Sequence, residues 1–350
     1  MKVLITGASG LLGRALAGEA RRRGHRVLAP DREELDVTDP GRVEETVRGA
    51  GEKRDGGLVI LNCAAFSHVD RAQAEPEEAL AVNRDGAANV AQAAARAGAF
   101  LLHVSTDYVF DGRKGEPYLP TDQPAPLNLY GISKLAGEAA VRDSGCRHLI
   151  VRTSWLFGDT DTGFVAFLRR AFSTGSDRRG PDDPGRLPET ESSSPDPIRV
   201  VRDEISRPTY VGDLAPALLD LVEARTASAP SSDPGLHPAV LHLANRGSCT
   251  RLELAQAVQE ELRGSGDPGM KAERAAERDP VEGEIIPVTS EAFGAPARRP
   301  RYSVLDLTLA EEILGRSLPH WRDGLRRFLQ GKESSGAETT GPAEGGTKRA

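Results

Sequence analysis

Three closely spaced glycines near the N-terminus leave this chain few architectures. Val3 to Thr6 reads as a short buried strand, and Gly7-Ala8-Ser9-Gly10-Leu11-Leu12-Gly13 follows it at once. An amphipathic helix over 11–23 is predicted next. In a strand–turn–helix of this kind, Gly7 permits the tight turn and Gly10 lets a pyrophosphate approach the backbone. Gly13 lets the helix pack closely on the strand. The turn offers backbone N–H groups, and the helix N-terminus adds its dipole, so an anion is favoured there. Leu11 and Leu12, inside the turn, are expected to contact the same ligand. The spacing is G-x-x-G-x-x-G rather than G-x-G-x-x-G, so the motif predicts a dinucleotide cradle without naming the dinucleotide.

The rest of the first half repeats the strand–helix rhythm. Strands are predicted at 26–29, 58–62, 100–105 and 148–153. Helices are predicted at 41–49, 76–97 and 128–143. This alternation argues for an α/β fold with a doubly wound parallel sheet, Rossmann-like. The second half is less regular, with helices at 211–222 and 252–262, a strand at 240–244 and closing segments at 298–309 and 321–329. We expect a dinucleotide-binding domain over 1–158. A smaller substrate-binding subdomain over 159–330 is expected to be interleaved with elements that return to the first sheet. Residues 173–197 are rich in Pro, Gly, Ser and charge and read as an inserted polar loop. Residues 264–283 are also loop-like, and 331–350 read as a disordered tail.

Charge bounds the partners. With 45 Lys and Arg against 52 Asp and Glu, the net charge is −7. That balance argues against a nucleic-acid or anionic-membrane partner. The cluster Arg298, Arg299 and Arg301 is a local exception that would suit an anionic small molecule. Cys63, Cys146 and Cys249 lie far apart without metal-ligand spacing and read as free thiols. The sequence enters a strand at once and shows neither a secretory leader nor an apolar run long enough for a membrane span. A cytoplasmic protein is expected.

Tyr130 and Lys134 form a Tyr-x-x-x-Lys pair, twenty-four residues after Thr106. Residues four apart share a helix face. With five tyrosines in 350 residues the pair alone is weak; its place after a nucleotide-binding half makes it strong. Tyr130 can deliver a proton to a carbonyl oxygen as hydride reaches carbon. A neighbouring ammonium favours the phenolate, so Lys134 is expected to lower the phenol's pKa. Thr106, at the end of its strand, can hydrogen-bond the same oxygen. Asp31 and Arg32 follow the second strand. A carboxylate there usually grips a ribose 2′-hydroxyl and an arginine a 2′-phosphate, so NADH and NADPH both stay open. Asp36 and Val37 are placed to meet an adenine edge. Ala64, Ala65 and Phe66 follow Cys63 at the end of the third strand, where small side chains let backbone approach a ligand. Each feature also has a bland reading. Tyr130 and Lys134 could be a solvated surface pair, Asp31 and Arg32 loop charges, and Trp155 a core aromatic.

Longer stretches carry a resemblance. They are Ala64-Ala65-Phe66-Ser67-His68-Val69-Asp70, Ser105-Thr106-Asp107-Tyr108-Val109-Phe110-Asp111-Gly112 and the run from Pro126 to Glu138. Arg152-Thr153-Ser154-Trp155, Arg207-Pro208-Thr209 and Pro296-Ala297-Arg298-Arg299-Pro300 follow in order. On these residues the chain resembles the extended short-chain dehydrogenase/reductases and, within them, the dTDP-4-dehydrorhamnose reductases. The likeness covers roughly residues 1–330. It implies Thr106, Tyr130 and Lys134 as the catalytic triad, and Lys134 also as a holder of the nicotinamide ribose. It implies that Thr106, Asp107 and Trp155 contact a nucleotide-sugar substrate, with NADPH, or NADH, as cofactor. The implied reaction reduces the C4 ketone of dTDP-4-dehydro-L-rhamnose. The 173–197 loop is longer and more polar than the family pattern. Some members bind Mg²⁺ at a dimer interface through carboxylates, one of them on the first helix. Ala15 stands at that place here, so no metal is expected, and a homodimer stays open. Two alternatives remain. One is a reductase of another nucleotide-linked 4-keto-6-deoxyhexose. The other is a nucleotide-binding regulator resembling the methionine adenosyltransferase beta subunit. The intact Thr106, Tyr130 and Lys134 set favours an enzyme.

Overall fold

The computed structural model of the chain describes residues 1–51, 57–174, 197–227, 239–264 and 284–331. The expected loop over 173–197 falls almost wholly outside these residues, as do most of 264–283 and the tail over 331–350.

The first half runs β1 (Lys2–Thr6), α1 (Leu11–Arg22), β2 (Arg26–Leu28), α2 (Pro40–Gly51) and β3 (Leu58–Asn62). Then come α3 (Val69–Ala74), α4 (Pro76–Leu80), α5 (Ala87–Ala97), β4 (Phe100–Thr106), α6 (Leu129–Asp143) and β5 (Arg147–Thr153). The single helix predicted over 76–97 is instead three pieces, because a π-helical turn, Ala81–Gly86, separates α4 from α5. Side-chain chemistry explains the widened turn. Asn83 accepts from the Phe66 N–H at 2.9 Å and donates to the Phe66 carbonyl at 3.0 Å and Ser133 Oγ at 2.9 Å. One buried amide therefore fastens the segment after β3 to α6. Insertions of this kind frequently mark functional sites.

The second half contributes β6 (Leu156–Phe157), α7 (Phe164–Thr174), β7 (Ile198–Val201), β8 (Ile205–Ser206), β9 (Thr209–Tyr210) and α8 (Val211–Ala227). It continues with β10 (Val240–His242), β11 (Cys249–Thr250), α9 (Arg251–Gly264) and β12 (Ile285–Val288). β6 pairs with β9 and β7 with β12, both in parallel, while β8 pairs antiparallel with β11. These two- to four-residue strands are too short for periodicity to reveal.

The main sheet has the order β10-β5-β4-β3-β1-β2, with every pair parallel. β10, from the second half of the chain, adds to this sheet by pairing with β5. Successive side chains alternate faces. Val3 and Ile5 join Leu12 and Leu16 of α1 and Leu214 and Leu218 of α8 in one core. Leu4, between them, joins Val43 and Val47 of α2 and Val90 of α5 on the other face. A third core unites Phe157, Leu168, Ile198, Val258 and Phe328. The chain leaves β1 toward β2 on one side and returns to β3 on the other. This is the topological switch point where open α/β sheets bind ligands.

Candidate active site

A cleft of about 630 Å³ opens at the C-terminal ends of β1, β3, β4 and β5. The turn from Gly7 to Gly13 forms one wall. Gly7 has φ +64°, and a Cβ there would lie 2.6 Å from the Ala64 backbone nitrogen. A Cβ on Gly13 would lie 2.2 Å from the Gly7 carbonyl oxygen. Gly10 is the most open of the three, with only the Gly7 oxygen near, at 3.2 Å. Two glycines thus close the strand–helix turn and the third leaves the cradle clear, which fits a dinucleotide pyrophosphate. Ala64, Ala65 and Phe66 line the cleft beside this turn, with the Ala64 backbone against Gly7.

The structure separates Asp31 from Arg32. Asp31 accepts from the Glu34 N–H at 2.9 Å, and Glu34 accepts from the Asp31 N–H at 3.1 Å. This reciprocal turn leaves Asp31 out of the cleft lining, whereas Arg32 is part of it. Arg32 is 71% exposed, and its nearest carboxylates, Asp36 and Glu78, lie 3.7 and 3.9 Å away. A loosely held guanidinium at this strand end suits a 2′-phosphate. Asp36 and Val37 line the cleft. The Asp36 carboxylate is engaged by the Thr38 N–H and hydroxyl at 2.9 and 2.8 Å. The backbone hydrogen bond, more than any other contact, holds its pKa below the ordinary value.

Thr106, Tyr130 and Lys134 converge on the floor. Asn128 caps α6 by accepting from the Gly131 N–H at 2.9 Å, and its amide donates to the Arg298 carbonyl at 2.8 Å. A Cβ on Gly131 would stand 2.2 Å from the Tyr108 carbonyl oxygen, so the first turn of α6 is pressed onto the chain just past β4. The Tyr108 and Tyr130 rings meet edge to face with centroids 5.9 Å apart. Burial pushes the Tyr130 phenol above its ordinary pKa, against the opposing effect of a hydrogen bond with Thr106. Lys134 Nζ donates to the Val104 carbonyl at 2.7 Å. Burial lowers the Lys134 ammonium to about 8, with Glu138 acting in the opposite sense. The expected lowering of the Tyr130 pKa by Lys134 is therefore not seen. Desolvation dominates the phenol, and Lys134 is turned to a backbone carbonyl.

Asp107 and Trp155 also line the cleft. Asp107 is buried and accepts from Thr106 Oγ1 at 3.1 Å, Ser206 Oγ at 3.0 Å and Ser303 Oγ. Burial, only partly offset by these donors, pushes its carboxyl up to about 6. Trp155 has φ +42°, the only positive value at a non-glycine among the described residues, and such backbone is strained. Arg251 stacks on its ring with the guanidinium carbon 4.5 Å from the centroid. Arg251 is held in turn by Glu204 at 2.9 Å and the Tyr108 hydroxyl at 3.3 Å. Sequence reading missed Arg251, Glu204, Ser206 and Ser303 as parts of the site. They are single polar residues scattered over 100 positions, from Glu204 to Ser303, and carry no local pattern.

Fold and site define a dinucleotide-binding protein of the short-chain dehydrogenase/reductase class. The family described as RmlD substrate binding domain matches residues 1–183 and 184–334, and the chain belongs to that family. It is 38% identical over 339 residues to a dTDP-4-dehydrorhamnose reductase of Mycobacterium tuberculosis, covering 95% of this chain and 94% of the relative. It is 35% identical to the dTDP-4-dehydrorhamnose reductase of Mycolicibacterium smegmatis, covering 97% and 88%. The crystal structure of a dTDP-4-dehydrorhamnose reductase from Bacillus anthracis in complex with NADP matches with a TM-score of 0.75 at 32% identity, over 94% of this chain and 99% of that one. A UDP-glucose 4-epimerase from Thermus thermophilus, at 20% identity and a TM-score of 0.70, shares the fold.

Proposed function

We propose that this chain catalyses the NADPH-dependent reduction of the C4 ketone of dTDP-4-dehydro-L-rhamnose to dTDP-L-rhamnose, with Tyr130 as proton donor. The observation that carries the reading is the convergence of Thr106, Tyr130 and Lys134 on the floor of a glycine-cradled cleft. The M. tuberculosis and B. anthracis relatives, named for this reaction, support the substrate class. NADPH, when bound, supplies the hydride. The backbone from Gly7 to Gly13 would hold its pyrophosphate, Arg32 its 2′-phosphate and Lys134 its nicotinamide ribose. NADH could use the same cradle without the Arg32 contact.

Thr106 and Tyr130 present two hydroxyls that can share one carbonyl oxygen. Burial keeps the phenol protonated, as a donor must be. As negative charge develops on the C4 oxygen, the Tyr130 proton moves to it. Thr106 keeps its own proton and, turned from Asp107 Oδ1 toward the substrate, stabilises the same oxygen by a hydrogen bond. Trp155, braced by Arg251, forms the wall against which the sugar lies. Cys63, Cys146 and Cys249 are free thiols, in keeping with a reducing, cytoplasmic setting.

The test is loss of nicotinamide absorbance with a panel of nucleotide-linked 4-keto-6-deoxysugars. Turnover is expected with dTDP-4-dehydro-L-rhamnose and the product dTDP-L-rhamnose. Tight NADPH binding with no turnover on any member would replace this reading with that of a nucleotide-binding regulator.

A further inference from the structure

A buried ion pair ties the helix that carries Tyr130 and Lys134 to the sheet. Glu138 lies four residues after Lys134 and is fully buried, and Arg152 on β5 is 2% exposed. Arg152 Nε and Nη2 donate to the two Glu138 carboxylate oxygens at 2.8 and 2.7 Å. Ser105, the residue before Thr106, donates to Glu138 Oε1 at 2.6 Å. Arg152 also lies against the Phe110 ring, 5.1 Å from its centroid, with His242 Nε2 3.5 Å from Nη1. Burying two charges is costly, and an apolar pair of similar volume commonly serves stability as well or better. Stability therefore does not account for the pair. Its location does: Lys134 Nζ donates to the Val104 carbonyl at 2.7 Å and Glu138 accepts from the next residue, Ser105, so a lysine and a carboxylate four apart on α6 engage adjacent residues of β4.

We propose that Glu138, clamped by Arg152 and Ser105, is a positioning residue that keeps the Lys134 ammonium charged and seated at the edge of the cleft. The proposal rests on the reading that Lys134 serves the reaction. The titratable groups facing Lys134 are Cys63 after β3, His103 on β4, and Tyr130 and Glu138 on α6. Burial pushes the Cys63 thiol up to about 12 and holds His103 well below its ordinary value, so both are neutral near pH 7. Tyr130 is neutral for the reason given above. Burial opposes ionisation of Glu138, but the hydrogen bonds and charge of Arg152, with Ser105 and Arg142, outweigh it and lower its pKa. Glu138 is thus the anion of this set, and it offsets part of the desolvation that lowers Lys134.

The two halves of the pair should act on Lys134 with opposite sign. Protein with ¹³C-labelled lysine side chains, free of cofactor, is titrated by NMR, and Lys134→Met identifies the signal. In Glu138→Gln the Lys134 midpoint should fall by about one pH unit, the size expected for loss of a nearby opposite charge. In Arg152→Gln it should rise, because Glu138 is left less compensated. The basic limb of kcat/KM against pH should move with each midpoint. Unmoved midpoints in both variants, or shifts of the same sign, overturn the proposal and leave the pair a purely structural clamp. Where either variant fails to fold, Arg142→Gln substitutes. Arg142 is 39% exposed and lies 3.4 Å from Glu138, and a smaller upward shift is expected. No shift there overturns the proposal as well. If wild-type protein turns over no keto sugar, the functional reading fails, while the titration still decides the role of Glu138.

Discussion

Single side chains decide the chemistry, and their environments predict how activity responds to change. Tyr130→Phe removes one oxygen and keeps the ring that packs on Tyr108. Folding and NADPH binding should survive while kcat falls about 10²–10⁴-fold, the usual share of general acid catalysis. Steady-state kinetics and a fluorescence titration of NADPH check both halves. The pH profile should report Lys134 rather than the phenol. Burial raises the Tyr130 pKa and lowers that of Lys134 to about 8, so activity should decline as the ammonium is lost above that pH. Arg32→Ala should weaken NADPH about tenfold, since a charge-assisted hydrogen bond contributes ~1.5 kcal/mol. NADH affinity should hardly move. Asp31→Ala should leave the preference nearly unchanged, because its carboxylate is occupied by the Glu34 N–H. Dissociation constants for both dinucleotides test these outcomes.

At the level of elements, the seat of α6 sets the geometry. Gly131 meets the Tyr108 carbonyl, and a Cβ on Gly137 would lie 2.1 Å from the Asn83 carbonyl oxygen, in the π-helical turn. Such contacts are with backbone and cannot be relieved by a rotamer change. Gly137→Ala should therefore cost about 1–3 kcal/mol, the usual penalty of overpacking. It should also lower kcat by tilting Tyr130 away from Thr106. Thermal unfolding and kinetics on the same preparation would show both effects. A stability loss without a kinetic one would mean that α6 shifts as a unit with Thr106.

Across the whole molecule, the two halves of the chain interlock, and buried titratable groups register that union. His242 on β10 is 1% exposed. Its Nδ1–H donates to the Tyr118 carbonyl at 3.0 Å, and Nε2 faces the Arg152 guanidinium. Burial first, then Arg152, lowers its pKa to about 3. Because the folded value lies below the unfolded one, ~6.5, the unfolded chain binds the extra proton between these limits. Stability is full above ~6.5 and is lost as pH falls toward 3, by about 1.4 kcal/mol per pH unit for each such proton. His103 acts in the same sense. Asp107, raised to about 6, acts in the opposite sense. Its stabilising share is full below the unfolded value, ~3.9, and is lost as pH rises through 6. Two histidines outweigh one carboxyl, so the melting temperature should fall on acidification from pH 7 to 5. His242→Asn should flatten that slope by close to one proton. An unchanged slope would assign the acid response elsewhere.

The sequence by itself determined the local chemistry of the cradle and the proposed catalytic residues. Gly7, Gly10 and Gly13, the Tyr130–Lys134 spacing and the strand–helix rhythm are short-range signals, legible because backbone conformation and helix periodicity act over a few residues. The tertiary structure alone decided what those groups experience. It engaged the Asp31 carboxylate in a turn with Glu34 and left Arg32 exposed at the cleft. It raised the phenol that Lys134 was expected to lower, because desolvation depends on everything packed around Tyr130. It also assembled Arg251 on Trp155 and Arg152 on Glu138, pairs 96 and 14 residues apart along the chain. No periodicity encodes such partners, because the fold brings them together only after the sheet has been laid down.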